Sequence, residues 1–290
     1  TTGLLTPLVK LDGETDGASV ALVVTDPEGY AVYEGPAAGD TIEIEGIQPW
    51  SHAAPVLYHA VLTLRDADGV LQEVVPYDIG FRRFEMINGV MCLNGERVVF
   101  NGVNRHEWNA DRGRAIGADD MHAAMAVFKK NNINAVRTCH YPDQSLWYDL
   151  CDRNGIYMID ETNLESHGSW QKLGAVEPSW NVPGSLPEWK DCVVDRARSM
   201  FERDKNHAAV LIWSCGNESY GGTDILAVSD YFRSADNRPV HYEGVDWDPR
   251  YPETTDIVSR MYTPAAEVEA FLQANRSKPF ILCEYAHAMG

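Results

Sequence analysis

The chain has 290 residues, 44% of them apolar, which is enough for one large domain and one small one around a sizeable core. Its 24 basic and 43 acidic side chains leave a formal charge of −19, which repels nucleic acid and anionic membrane surfaces and directs attention to a neutral substrate. No run approaches the roughly 20 apolar residues needed to cross a bilayer, and Thr1-Thr2-Gly3-Leu4 carries no targeting signal. The six scattered cysteines (Cys92, Cys139, Cys151, Cys192, Cys215, Cys283) read as buried free thiols of a cytoplasmic protein.

Residues 1–86 read as short strands joined by turns. An apolar run from Ser19 to Val24 precedes the turn Asp26-Pro27-Glu28-Gly29, and Thr41 to Glu45 alternates with the period of a half-buried strand. The runs Leu57 to Leu64 and Val70 to Val75 flank Asp66-Ala67-Asp68-Gly69, a hairpin pattern. A small β-sandwich is expected here, acting as a support because it brings no polar groups together.

Over residues 87–290 the pattern changes to short apolar strands alternating with helical periods, the mark of parallel β-α units. Strands are predicted at Val98–Val103, Ala135–Thr138, Tyr157–Asp160, Val210–Ser214, Val240–Tyr242, Ile257–Met261 and Phe280–Cys283. Asp119 is expected to cap a helix carrying Met121, Ala124, Met125 and Phe128, and Asp143 one carrying Leu146, Trp147 and Leu150. Further helices are placed at Trp189 to Phe201 and Ala265 to Ala274. The order predicts an α/β fold, a TIM-type (β/α)8 barrel lacking its last unit, because the chain stops at Met289-Gly290 just after the seventh strand. The edge of that strand is then left open.

In such barrels chemistry sits at the carboxyl ends of the strands. These ends are polar: Asn104-Arg105-His106-Glu107 after the first, Arg137 to Tyr141 after the second, Asp160 to His167 after the third, Asn217-Glu218 after the fourth, Tyr262 after the sixth, and Glu284 to His287 after the seventh. Glu218 and Glu284, on opposed strands, have the placement that glycoside hydrolysis requires of its two carboxylates. Residue types alone leave metal binding or the orienting of other groups equally open.

The segments Asn101-Gly102-Val103-Asn104-Arg105-His106-Glu107, Asn134-Ala135-Val136-Arg137 with His140-Tyr141-Pro142, Gly216-Asn217-Glu218-Ser219 and Ile281 to Gly290 resemble glycoside hydrolase family 2, in particular large bacterial β-galactosidases of the LacZ type. The likeness covers roughly residues 75 to 290. It implies an immunoglobulin-like sandwich before the barrel and retaining hydrolysis of terminal β-D-galactosides such as lactose. Glu284 is then the nucleophile and Glu218 the acid/base. It further implies Mg2+ bound through Glu165, His167 and Glu218, and a Na+ site and homo-oligomer in the complete protein. Tyr262 would bond the nucleophile, Asn217 the sugar's 2-hydroxyl, His106, His140 and His287 the sugar, and Arg137 would keep Glu284 ionised. Alternatives are a β-glucuronidase or β-mannosidase of the same family, a galactoside-binding fragment without turnover, and a magnesium-dependent phosphoesterase centred on Glu165, His167 and Glu218. Against the last stand the acidic balance and the lack of a phosphate-cradling glycine loop.

Overall fold

Strands β1 (Thr2–Leu5) and β4 (Ile42–Glu45) pair antiparallel, and β2 (Ser19–Thr25), β3 (Ala31–Pro36), β5 (Tyr58–Arg65) and β6 (Leu71–Ile79) form a second antiparallel sheet in the order β3-β2-β5-β6. The computed structural model describes residues 1–13, 15–167, 169 and 181–287. Alternation puts Leu22, Val24, Tyr58 and Ala60 inward, and these meet Ile44, Ile47 and Phe81 in one core. The β5–β6 hairpin closes through Asp66, whose carboxylate accepts the Asp68 and Val70 N–H groups at 3.0 and 2.9 Å. Two strands go beyond the expectation. β1 is hidden by Gly3, whose missing side chain makes room for the Phe81 ring, and β3 ends in Gly35-Pro36.

These strands belong to one compact unit, Thr1–Arg83 with Asp152–Gly155 and Asn206–Ala208; the second comprises Phe84–Cys151, Ile156–Lys205 and Ala209–Gly290. The second opens with a meander, β7 (Phe84–Ile87), β8 (Val90–Leu93) and β9 (Glu96–Arg97). Five parallel strands follow in sequence order: β10 (Gly102–Asn104), β11 (Ala135–Arg137), β12 (Tyr157–Glu161), β13 (Val210–Ser214) and β14 (Val240–His241). β15 (Val258–Met261) and β16 (Phe280–Glu284) form a further parallel pair. Every residue of β11, β12 and β13 is buried, as in parallel sheets covered on both faces. All seven predicted strands are present. The first is shorter than expected because Val98 continues the meander, its N–H donating to the Met91 carbonyl at 2.9 Å.

The longer helices among the described residues are α1 (Ala118–Lys130), α2 (Ser145–Asn154), α3 (Pro187–Asp204), α4 (Thr223–Ala235) and α5 (Ala265–Ala274). Neither proposed cap holds. Gly117 occupies the cap position of α1, and Asp120, not Asp119, accepts its N–H at 2.8 Å. The Asp143 carboxylate turns instead to Arg105, at 2.6 Å, because a buried guanidinium needs a counter-charge. α4 was not foreseen, although Ile225, Val228 and Phe232 repeat at helical spacing. Phe232 stacks on Trp213 of β13 with 5.6 Å between ring centres. Five cysteines are buried as expected, whereas Cys192 is exposed on α3. Among the described residues no helix is long and apolar enough to cross a membrane.

Candidate active site

Arg137, at the end of β11, is the hub of the strand ends. Its guanidinium donates to Glu161 at 2.7 and 3.0 Å, to the Asn217 side-chain oxygen at 2.6 Å and to Glu284 at 3.3 Å. Burial alone would lower its pKa, but the Glu161 charge overcomes this and raises it above the usual value. Glu161 is fully buried. Burial would raise its carboxyl, yet Arg137 and the hydrogen bond from His140 hold it down at about 2. The Ser214 hydroxyl also donates to it, at 2.7 Å, and in turn meets His241 at 2.9 Å, whose other nitrogen meets Ser259 at 2.8 Å. Burial depresses His241 to about 3, so this support is uncharged beyond Glu161.

Glu284 ends β16. One carboxylate oxygen faces Arg137, and the other accepts the Tyr262 hydroxyl at 2.5 Å. Burial and the Glu284 carboxylate push Tyr262 up to about 12, which keeps it a donor. The His287 ring lies 3.4 Å from the same hydroxyl. The neighbouring Ala288, Met289 and Gly290 of the motif lie outside the described residues.

Glu218 is carried on a tight loop after β13. Gly216 has φ +143°, and a Cβ there would lie 2.7 Å from the Leu164 carbonyl oxygen; Glu218 itself takes φ +41°, the left-handed region costly to a side-chain-bearing residue. Two bonds hold this geometry. The Asn217 N–H donates to the Leu164 carbonyl at 2.8 Å, and the Glu218 N–H donates to the Glu243 carboxyl. Asn217 also donates its amide to Glu165 at 2.6 Å, so it links Arg137 to the acidic side of the site. Glu165, His167 and Glu218 each present a ligand atom within 4.8 Å of the others, and His167 Nδ1 lies 2.7 Å from Glu218. Two carboxylates and an imidazole beside solvent can hold a divalent cation. Burial raises the Glu218 pKa; His167 opposes this, and Glu165 and Glu284 reinforce it.

His140 stands between the halves, its Nε2 3.8 Å from Glu284 and 4.0 Å from Glu165. His106 packs edge-on against it at 5.5 Å, and burial, then His140, lowers the His106 pKa. A cavity of about 920 Å³ is lined by Glu284, Tyr262, His287, Arg137, His106 and His140. The residues predicted for the site (Glu284, Glu218, Asn217, His106, His140, His287, Tyr262, Arg137, Glu165 and His167) are thus linked in one network. Glu161 and Glu243 were missed. Glu161 had a signal, its place at the end of a buried apolar strand, whereas Glu243 lies past β14 in a short helix with no motif of its own.

Parallel β-α units with their polar residues gathered at the carboxyl ends define a TIM-barrel architecture of the kind that hosts enzymes at that face. Its family is explicit: residues 84–290 match the model described as "Glycosyl hydrolases family 2, TIM barrel domain" and residues 5–82 that of "Glycosyl hydrolases family 2". The chain belongs to glycosyl hydrolases family 2. It is 50% identical over 311 residues to a β-galactosidase of Streptococcus thermophilus, spanning 97% of this chain and 30% of that protein. It is 59% identical over 242 residues to a β-galactosidase of Halalkalibacterium halodurans, spanning 83% and 24%. To a β-galactosidase large subunit of Lactobacillus acidophilus it is 49% identical, spanning 99% and 47%. The chain thus spans less than half the length of these relatives. A β-glucuronidase of Ruminococcus gnavus has the same fold, with a TM-score of 0.83 at 22% identity over 98% of this chain and 52% of that one.

Proposed function

We propose that this chain carries the catalytic centre of a retaining β-galactosidase acting in the cytoplasm on a neutral β-galactoside, within a homo-oligomer when complete. The observation that carries the reading is the contrast between two carboxylates. Glu284 is addressed by the Arg137 cation and the Tyr262 hydroxyl, as suits a nucleophile, and Glu218 has a raised proton affinity, as suits an acid. Identities of 48–59% to proteins named as β-galactosidases or their large subunits support galactose as the sugar.

Glu284 attacks the anomeric carbon while Glu218 protonates the departing oxygen, giving a glycosyl-enzyme. Glu218, now ionised, takes a proton from water, which displaces Glu284 from the same face the leaving group left. Two inversions give net retention. Asn217 addresses the sugar's 2-hydroxyl, and His106, His140 and His287 the remaining hydroxyls. Glu165, His167 and Glu218 would hold Mg2+, whose charge would orient Glu218 and tune its proton affinity.

The test is turnover of a panel of nitrophenyl glycosides by the full chain. Galactoside turnover should fall by about 10³-fold or more in Glu284→Gln and Glu218→Gln, and azide should rescue Glu284→Gly as an α-galactosyl product. Chelation should lower the rate and Mg2+ restore it. Equal activity in all variants, or a preference for the glucuronide or mannoside, would overturn the assignment.

A further inference from the structure

β11 delivers a thiol and an imidazole together to the strand ends. Cys139 and His140 follow Arg137, and His106 follows β10. The Cys139 sulfur and one nitrogen from each ring all lie within 4.8 Å of one another. All three residues line the cavity of about 920 Å³ that also contains Glu284. The catalytic reading uses the two imidazoles and leaves the thiol without a task. Cys139 is buried, and its sulfur makes no hydrogen bond among the described residues. Burial pushes the thiol up to about 12, so at neutral pH it is protonated and unreactive. A thiophilic cation changes this, because coordination displaces the proton.

The rings are set for the same role. His140 Nδ1 lies 2.8 Å from Glu161, and because that carboxyl is held at about 2, the nitrogen must donate. In the neutral ring Nε2, 3.8 Å from Glu284 and 4.0 Å from Glu165, then keeps its lone pair for a ligand. A carboxylate behind an imidazole fixes the tautomer of metal-bound histidines in this way. His106 is tied through Nδ1 to the Tyr141 hydroxyl at 3.2 Å, and its lowered pKa favours the neutral ring that a metal requires. Ligand type separates this cluster from Glu165, His167 and Glu218. Two carboxylates and one imidazole offer mainly hard oxygen, which suits Mg2+, whereas one sulfur and two imidazole nitrogens suit zinc. Three protein ligands leave a fourth tetrahedral position, and the cavity has room there for water.

We propose that His106, Cys139 and His140 form a Zn2+ site whose occupation excludes the sugar. The exclusion, though not the metal binding, rests on the β-galactosidase reading, in which the same two imidazoles address the sugar. On binding, the Cys139 S–H bond breaks, the proton passes to water, and the sulfur keeps the electron pair that bonds the ion. Drawing the three atoms to the roughly 3.3–3.7 Å separations of a tetrahedral centre requires a turn of the exposed His106 ring. The ion then lies beside Glu284, and a galactoside can no longer reach His106 and His140.

Co2+ serves as a spectroscopic stand-in for zinc. Titrated into the full chain in excess Mg2+, it should give a thiolate-to-cobalt charge-transfer band in the near ultraviolet that Zn2+ abolishes; the carboxylate cluster has no sulfur to produce one. Cys139→Ser and His106→Ala should each weaken binding of both ions about 100-fold or more, and Cys192→Ser, on the exposed part of α3, should leave it unchanged. His106→Ala alters an exposed ring and so keeps the test open should Cys139→Ser fail to fold. In nitrophenyl-galactoside turnover Zn2+ should raise KM with kcat unchanged, and Cys139→Ser should need about 100-fold more zinc for the same effect. No band in the parent, or a band undiminished in either variant, would overturn the site. A fall in kcat at constant KM would overturn the exclusion of the sugar. A band lost in both variants, with no galactoside split by any form, would uphold the zinc site and sink the catalytic reading instead.

Discussion

At the scale of single residues, two buried glutamates that touch no substrate shape those that would. Glu243 accepts the Glu218 N–H, its other oxygen has no hydrogen-bond partner among the described residues, and burial pushes it up to about 8, so at neutral pH it is largely a protonated acid. Glutamine is close to that form in shape and hydrogen bonding. Glu243→Gln should therefore keep turnover within a few-fold, while Glu243→Leu orphans the Glu218 N–H at about 1–3 kcal/mol and should depress kcat more than it raises KM. Loss of equal size in both would show that the acceptor at this position does not matter. Glu161 is the reverse case, its carboxyl held at about 2 by Arg137 and His140 against its burial. A depressed carboxyl contributes stability that is complete above its unfolded value, near 4.5, and is lost as pH falls through the folded one. Urea unfolding should thus show stability dropping by about 3 kcal/mol from this group between pH 4.5 and 2. Glu161→Gln should lower stability at pH 7, because Arg137 loses its partner, and flatten that acid slope.

At the scale of elements, the loop after β13 decides where the acid points. Gly216 tolerates φ +143° and leaves room for the Leu164 carbonyl, which then accepts the Asn217 N–H. Gly216→Ala should cost roughly 1–3 kcal/mol, seen as a lower melting temperature, and should reduce galactoside turnover at least tenfold because Glu218 is carried two residues on. Unchanged activity with a lowered melting temperature would mean that the loop regains its path despite the clash. The elements were largely legible in the sequence. The seven parallel strands follow from apolar runs of Val, Ile and Leu that can be buried on both faces, and α5 was foreseen to the residue. The caps were not, because Asp119 and Asp143 have the right chemistry for a cap and are surpassed by neighbours whose positions depend on the fold: Asp120 for one, Arg105 for the other.

At the scale of the whole molecule, a charge of −19 and an isoelectric point near 4.8 set the colloidal behaviour. Self-repulsion at pH 7 should be screened by salt, raising the melting temperature between about 10 and 200 mM NaCl, and solubility should pass through a minimum near the isoelectric point; a melting temperature indifferent to salt would deny the repulsion. Order along the chain was enough to determine the strand sequence, the placing of polar residues at strand ends and the family likeness, because periodicity and motif are local properties. Only the folded chain could decide which charges meet. Arg137 and Glu161 are 24 residues apart, Glu218 and Glu243 25, and Arg137 and Glu284 147. Pairings over such separations depend on strand register and loop direction, and it is there, in a low-dielectric interior, that one carboxyl is pressed toward 2 and another toward 8.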